Sequence, residues 1–428
     1  MGTLQKLFER EIQASFTFPI VGAKLIKRQL EKRGVILTAK QVSNLEINLR
    51  DISGDSVTFD LDLDNEQNRV LGISDGEKIE LDIGDEKNFD EFYQEFIAKL
   101  ERTFPEIIEE MASLLLSDLR ENRSTMLKAH RKDMKGFEKR LDKDWKRPFD
   151  LFESFLVLAF EAGDEFNSDF RKDATEVENY VLEALTRLHA RACQIAWEVF
   201  VLLKSGFADG AHARWRSLHE IAVVASFIKT HGNEVAERYL LHDNIESYKA
   251  ATLYQKHCQA LGDEPIPQDE YNSLITVRDE LIARFGNSYK NNYGWSSSAL
   301  NKQDPNFSDI EENAGLDHLR PYYKLASHNV HANPKGVMFK LGLSGNTQNV
   351  LLAGPSNFGF TDPAQGTAYS LGLVTVTLIT TRPTIDNLVL SNILLRLESE
   401  IGEEFLKVQK DIEDKDCRSC TDGATEWV

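Results

Sequence analysis

Apolar residues in this chain recur mainly at the three- and four-residue spacing of amphipathic helices. From Trp145 onward the pattern holds for nearly two hundred residues, through "FDLFESFLVLAFEAGDEF", "EVENYVLEALTRLHARACQIAWEVFVLLKSG", "DGAHARWRSLHEIAVVASFIKTHG" and "VAERYLLHDNIESYKAATLYQKHCQALG". "KSGFADGA" is short enough to make the second and third of these an antiparallel hairpin, with Gly206 closing one helix and Asp209 capping the next. After a polar, asparagine- and serine-rich connection, helicity resumes at "DHLRPYYKLASHNVHANP", where Pro334 is expected to end it. Two more helical stretches follow, "AQGTAYSLGLVTVTLITT" and "TIDNLVLSNILLRLESEIGEEFLKVQKDIED".

Other periods appear toward the amino terminus. "SVTFDLDLD" and "KIELDIGD" alternate apolar and acidic residues as strands do, so residues 1–87 read as a small α+β module. Residues 88–144 read as an arm of two charged amphipathic helices, with Pro105 near a start or a break. The glycine-rich run around 336–360 reads as a β-hairpin-like insertion, and 417–428 as a flexible tail behind a helical core spanning 145–416. The expected fold class is therefore mainly α: a helical bundle with a small N-terminal α+β module and a short hairpin insertion.

Composition narrows the function classes. At 41% hydrophobic and 28% charged residues the 428-residue chain is globular and long enough for more than one core. A net charge of −19 argues against a basic nucleic-acid footprint over the whole surface, while permitting a local basic cleft. The N-terminal stretch lacks the apolar core of a secretory signal and no run is long enough to span a membrane, so a cytoplasmic protein without membrane contact is expected. Four cysteines are too few for a disulfide scaffold, and the single "CRSC" at Cys417 and Cys420 has no second pair to complete a zinc site. No cofactor and no metal is assigned.

Candidate chemistry concentrates in "DGAHARWRSLHE". At about 100° per residue, Arg216, His219 and Glu220 fall within about 80° of His212, on one helix face, whereas Arg214 lies about 200° away. Guanidinium suits phosphate oxygens and imidazole titrates nearest neutrality, so Arg216, His219 and Glu220 are candidates for phosphate positioning and proton transfer. An ordinary i,i+4 ion pair accounts equally for Arg216 and Glu220. In "SHNVH", His328 and His331 stand i,i+3 and can face the same way, as half a metal site or an acid/base pair. The expected catalytic set is Arg216, His219, Glu220, His328 and His331, with His212, Arg214 and Ser327 as ligand-binding residues. Convergence of Glu220 and His242 on the later histidines would give a mixed nitrogen and carboxylate metal site.

"RWRSLH", Arg214 to His219, resembles the Arg-x4–6-His motif of HEPN-type helical ribonucleases. That resemblance implies metal-independent RNA cleavage, although the chain carries Trp215 where the family commonly has a polar residue. Over roughly 145–400, "FDLFESFLVLAFEAGDEF", "DGAHARWRSLHEIAVVASFI" and "YYKLASHNVHANP" resemble an uncharacterised bacterial all-helical family of unknown function. Its recurring features fall here on Arg216, Leu218, Glu220, Ser327, His328 and His331, and it implies a toxin or defence setting without an established activity. Two function classes follow. One is a ribonuclease-like effector acting on RNA; the other is a non-catalytic sensor or interaction protein that binds a ligand or protein partner through the same polar pocket. A homodimer is expected through the apolar stripes "LVTVTLITT" and "LVLSNILLRL".

Overall fold

Local capping sets the first helices. Thr38 Oγ1 accepts from the Gln41 N–H at 3.3 Å, and Gln41 Oε1 accepts from the Thr38 N–H at 2.8 Å, a reciprocal capping box. Asp64 and Gln67 repeat it. In the computed structural model, which describes residues 10, 17–50, 58, 60–74, 77–82, 86–176, 179–344 and 351–422, these caps open α2 (Ala39–Asn48) and α3 (Asn65–Leu71), behind α1 (Phe18–Lys32). The chain divides into two compact units, Met1–Lys128 and Ala129–Val428. The first has its own small core of Ala23, Ile26, Leu30, Val35, Leu45 and Leu49. Arg28 ties α1 to the start of α4 (Glu86–Glu176) through Glu95 at 2.6 Å.

The expected α+β module is not supported. The described residues of both alternating segments, 58, 60–64 and 78–82, form no strand, and Asp62 has a φ of +48°, outside the extended region. The rest of those segments, at 56–57, 59 and 83–85, lies outside the described residues. The arm expected as two helices is one: α4 runs through both Pro105 and Pro148 without an assigned break.

In the second unit, α5 (Tyr180–Lys204) and α6 (Ala208–His231) form the hairpin. Gly206, at φ +83°, closes α5 in a Schellman turn: its N–H donates to Leu203 O at 2.9 Å and the Phe207 N–H to Leu202 O at 2.8 Å. Asp209 is not the cap of α6. It sits in the first turn, and its carboxylate accepts from the Leu341 N–H at 3.0 Å, anchoring a distant loop. The chain continues as α7 (Asn233–Leu241), α8 (Asp243–Leu261), α9 (Gln268–Phe285), α10 (Phe307–Asn313), α11 (Arg320–Val330), α12 (Pro334–Met338), α13 (Thr361–Ile379) and α14 (Ile385–Asp422). Pro334 opens α12 rather than closing α11. No β-hairpin forms among the described residues of 336–360, and 345–350 lie outside them.

The core of this unit is built from α4, α5, α6, α13 and α14. Trp145, Phe149 and Phe152 of α4 are fully buried against Phe200, Phe360 and Phe405, with Trp145 and Phe360 centroids 4.8 Å apart, and Phe155 is buried in the same core. Each such ring removed from water stabilises by roughly 2–3 kcal/mol. Leu371, Val374 and Leu378 of α13 belong to the same core, so the first of the two stripes expected to dimerise packs internally. Among the described residues, no helix is long and apolar enough to cross a membrane.

Candidate functional site

The face of α6 predicted from the helical wheel divides between core and surface. Trp215 is seated on α13: its Nε1–H donates to Ser370 Oγ at 3.1 Å, and Gly366 lies so close that a Cβ there would stand 2.8 Å from the indole. His212 stacks on Trp215 at 5.3 Å and 5°, and His219 lies against it at 5.5 Å. Both imidazoles are buried, with side chains at 0% for His212 overall and 1% for His219. Burial pushes His212 down to about 4, and among the described residues both its ring nitrogens lack a hydrogen-bond partner.

His219 meets Glu311 of α10, a carboxylate that is itself fully buried, at 2.7 Å between Nε2 and Oε1. Burial depresses the imidazole below its ordinary value, against the raising effect of Glu311, so the ring is neutral at pH 7. The carboxylate accepts, hence Nε2 carries the proton and Nδ1 is bare; Nδ1 is buried and, among the described residues, has no hydrogen-bond partner. Arg320, at the start of α11, forms the ion pair that balances Glu311.

One turn outward the groups are half-buried. Arg216 Nη2 donates to the Tyr323 hydroxyl at 3.0 Å, Tyr323 donates to Glu220 Oε1 at 2.6 Å, and Arg216 and Glu220 pair at 3.2 Å. The Arg216 guanidinium lies 4.9 Å from the Tyr323 ring centroid and that of Arg320 5.5 Å, a cation–π arrangement for both. Burial, then the bond to Glu220, raises Tyr323 well above the usual phenol value, so it stays a neutral donor. Arg216 and Glu220 keep 24% and 37% of their side-chain surface in solvent.

The remaining predicted residues make other contacts. Arg214 faces α5, paired with Glu198 and 3.3 Å from Ser217 Oγ. Among the described residues, no hydrogen bond or ion pair joins His328 or His331 to the α6 cluster. His328 Nδ1 bonds Asn333 at 2.8 Å, His331 is exposed past the end of α11, and Ser327 Oγ donates to Tyr323 O at 2.7 Å within its own helix. His242 is held by the carbonyls of Tyr289 and Asn291, both at 3.0 Å. Among the described residues no cluster of three or more His, Cys, Asp or Glu side chains has a metal-holding arrangement. The side chains of Cys417 and Cys420 lie outside the described residues.

Sequence reading missed Glu311, Arg320 and Tyr323. A signal existed: Arg320, Tyr323 and Ser327 follow the i, i+3, i+7 spacing of one helix face.

What the arrangement defines is an all-helical unit with a sealed His219–Glu311 pair, balanced by the partly exposed Arg320, beneath a half-open Arg–Tyr–Glu group. Residues 182–348, which include every member of it, match the model of a family described only as a family of unknown function, DUF5677. Comparison with curated proteins and with solved structures finds no significant match.

Proposed function

We propose that this chain is a non-catalytic helical sensor or interaction protein, recognising an anionic group of a ligand or protein partner at the Arg216–Tyr323–Glu220 surface. The observation that carries the reading is the burial of His219. The side chain able to move a proton near neutrality is 1% exposed, its Nε2–H is committed to Glu311, and its bare Nδ1 is out of reach of a ribose hydroxyl. Arg216 and Arg320, each 24% exposed, supply guanidinium edges for an anion, and the net charge of −19 disfavours a long polyanion more than a compact one.

The second reading is the HEPN-like, metal-independent ribonuclease of a toxin or defence system. It draws on one specific feature: a neutral imidazole oriented by a carboxylate, with a free second nitrogen, is the form of a general base. Incubation of the purified chain with single-stranded RNA in chelator separates the two. The expected result is intact RNA, together with a rise in melting temperature on adding inorganic pyrophosphate that is lost in Arg216→Ala. Cleavage that leaves 2′,3′-cyclic phosphate ends, and that His219→Gln abolishes in a folded protein, would overturn the binding reading.

A further inference from the structure

The long helix α4 carries an apolar face that stays exposed among the described residues. Ile108, Met111, Leu115, Leu119 and Met126 follow one another at spacings of three, four and seven residues, in step with the helical period of about 3.6. They therefore form one straight stripe, which Ile107 and Leu114 widen. Their exposures run from 37% at Met111 to 65% at Leu114, values foreign to a helix that has found its partner. The stripe lies wholly in the first unit, whose small core of α1 and α2 residues does not include it.

The charges along the same segment change sign at its centre. From Glu101 to Asp118 five carboxylates stand against Arg102, a net −4. From Arg120 to Lys128 three bases stand against Glu121, a net +2, and Arg131, Lys132 and Lys135 against Asp133 continue that sign. The midpoint of the stripe, near Ser117, falls where the sign changes. A second copy laid antiparallel sets each acidic half against a basic half and buries both stripes. A parallel copy sets like against like along the whole length.

We propose that α4 pairs with α4 of a second copy of this chain, antiparallel about a twofold axis near Ser117. Ile108 then faces Met126 of the other copy, and Leu115 faces Leu119. Such an isologous contact closes at two copies. Asp118 and Asn122 interrupt the stripe but satisfy each other, the amide donating to the carboxylate at 2.8 Å, and a polar pair within an apolar seam restricts the register.

Sedimentation equilibrium of the full chain at tens of micromolar tests the pairing, with a dimer expected. Leu115→Glu should leave helix content unchanged, because the side chain is exposed, and weaken association on the order of 100-fold or more. Orientation is read by mixing a chain carrying Ile108→Cys with one carrying Met126→Cys, both with Cys417→Ser and Cys420→Ser. Oxidation should give the mixed disulfide in preference to either self-linked product. A wild-type monomer, a dimer that Leu115→Glu leaves intact, or preferential Ile108→Cys self-linkage would each overturn the proposal.

Discussion

Glu311, itself fully buried, accepts from the buried His219 and balances the partly exposed Arg320, so its removal leaves both without their partner. A buried charge pair contributes little net stability against an apolar replacement, but breaking one side leaves an uncompensated group. Glu311→Ala is therefore expected to lower the stability of the Ala129–Val428 unit by about 3–5 kcal/mol. Glu311→Gln, whose amide oxygen still accepts, should cost about 1–3 kcal/mol. Urea midpoints at an unchanged m-value measure both, and equal losses for the two variants would mean that the accepting oxygen adds nothing beyond the charge.

At the scale of elements, the α5–α6 hairpin decides where the candidate site stands, since it fixes the rotation of α6 against α5. Its turn depends on Gly206: beyond the positive φ, a Cβ there would lie 2.7 Å from Phe137 Cζ and 2.8 Å from Pro355 Cβ. Gly206→Ala should cost about 2–4 kcal/mol, backbone strain and overpacking together. Gly262, which follows α8 at φ +78° with nothing within 4 Å, isolates the backbone part, and Gly262→Ala should cost only about 1 kcal/mol. Thermal unfolding of the pair tests whether packing adds to strain; equal melting shifts would remove the packing contribution.

Across the whole molecule, acid sensitivity follows from buried imidazoles. Burial holds both His189 and His212 down to about 4, below the value near 6.5 of an unfolded chain. The unfolded state therefore binds their protons first, and stability present above about pH 6.5 is lost as pH falls toward 4, by about 2–4 kcal/mol for each ring. Burial of Asp362 and Glu398 raises those carboxyls and acts in the opposite direction, so the wild-type slope alone mixes signs. The difference between wild type and His212→Phe isolates one ring. The melting temperature of wild type minus that of the variant should fall by several degrees between pH 7 and pH 4; parallel curves would mean that His212 is protonated equally in both states.

The sequence by itself determined the helical class, the hairpin around Gly206 and the face of α6 bearing Arg216, His219 and Glu220, because periodicity and turn chemistry are interactions between near neighbours in the chain. It also produced strands that are absent, at 60–64 and 78–82. Alternation of apolar and acidic residues satisfies the period of a strand, yet a strand exists only when a partner supplies the other half of its hydrogen bonds. The apolar stripe of α6, centred near Trp215 and Ala222, lies about 40–80° from His212 and His219 and about 100–160° from Arg216 and Glu220. Which of these polar groups would be sealed depended on what covered the edge of that stripe. Tertiary structure alone decided it, by laying Glu311, Arg320 and Tyr323 against residues about a hundred positions earlier. Among the described residues it also gave His328 and His331 no hydrogen bond or ion pair to the cluster. Helix spacing fixes which side chains share a face, but contact between faces is set by the packing of whole helices, which has no local signature.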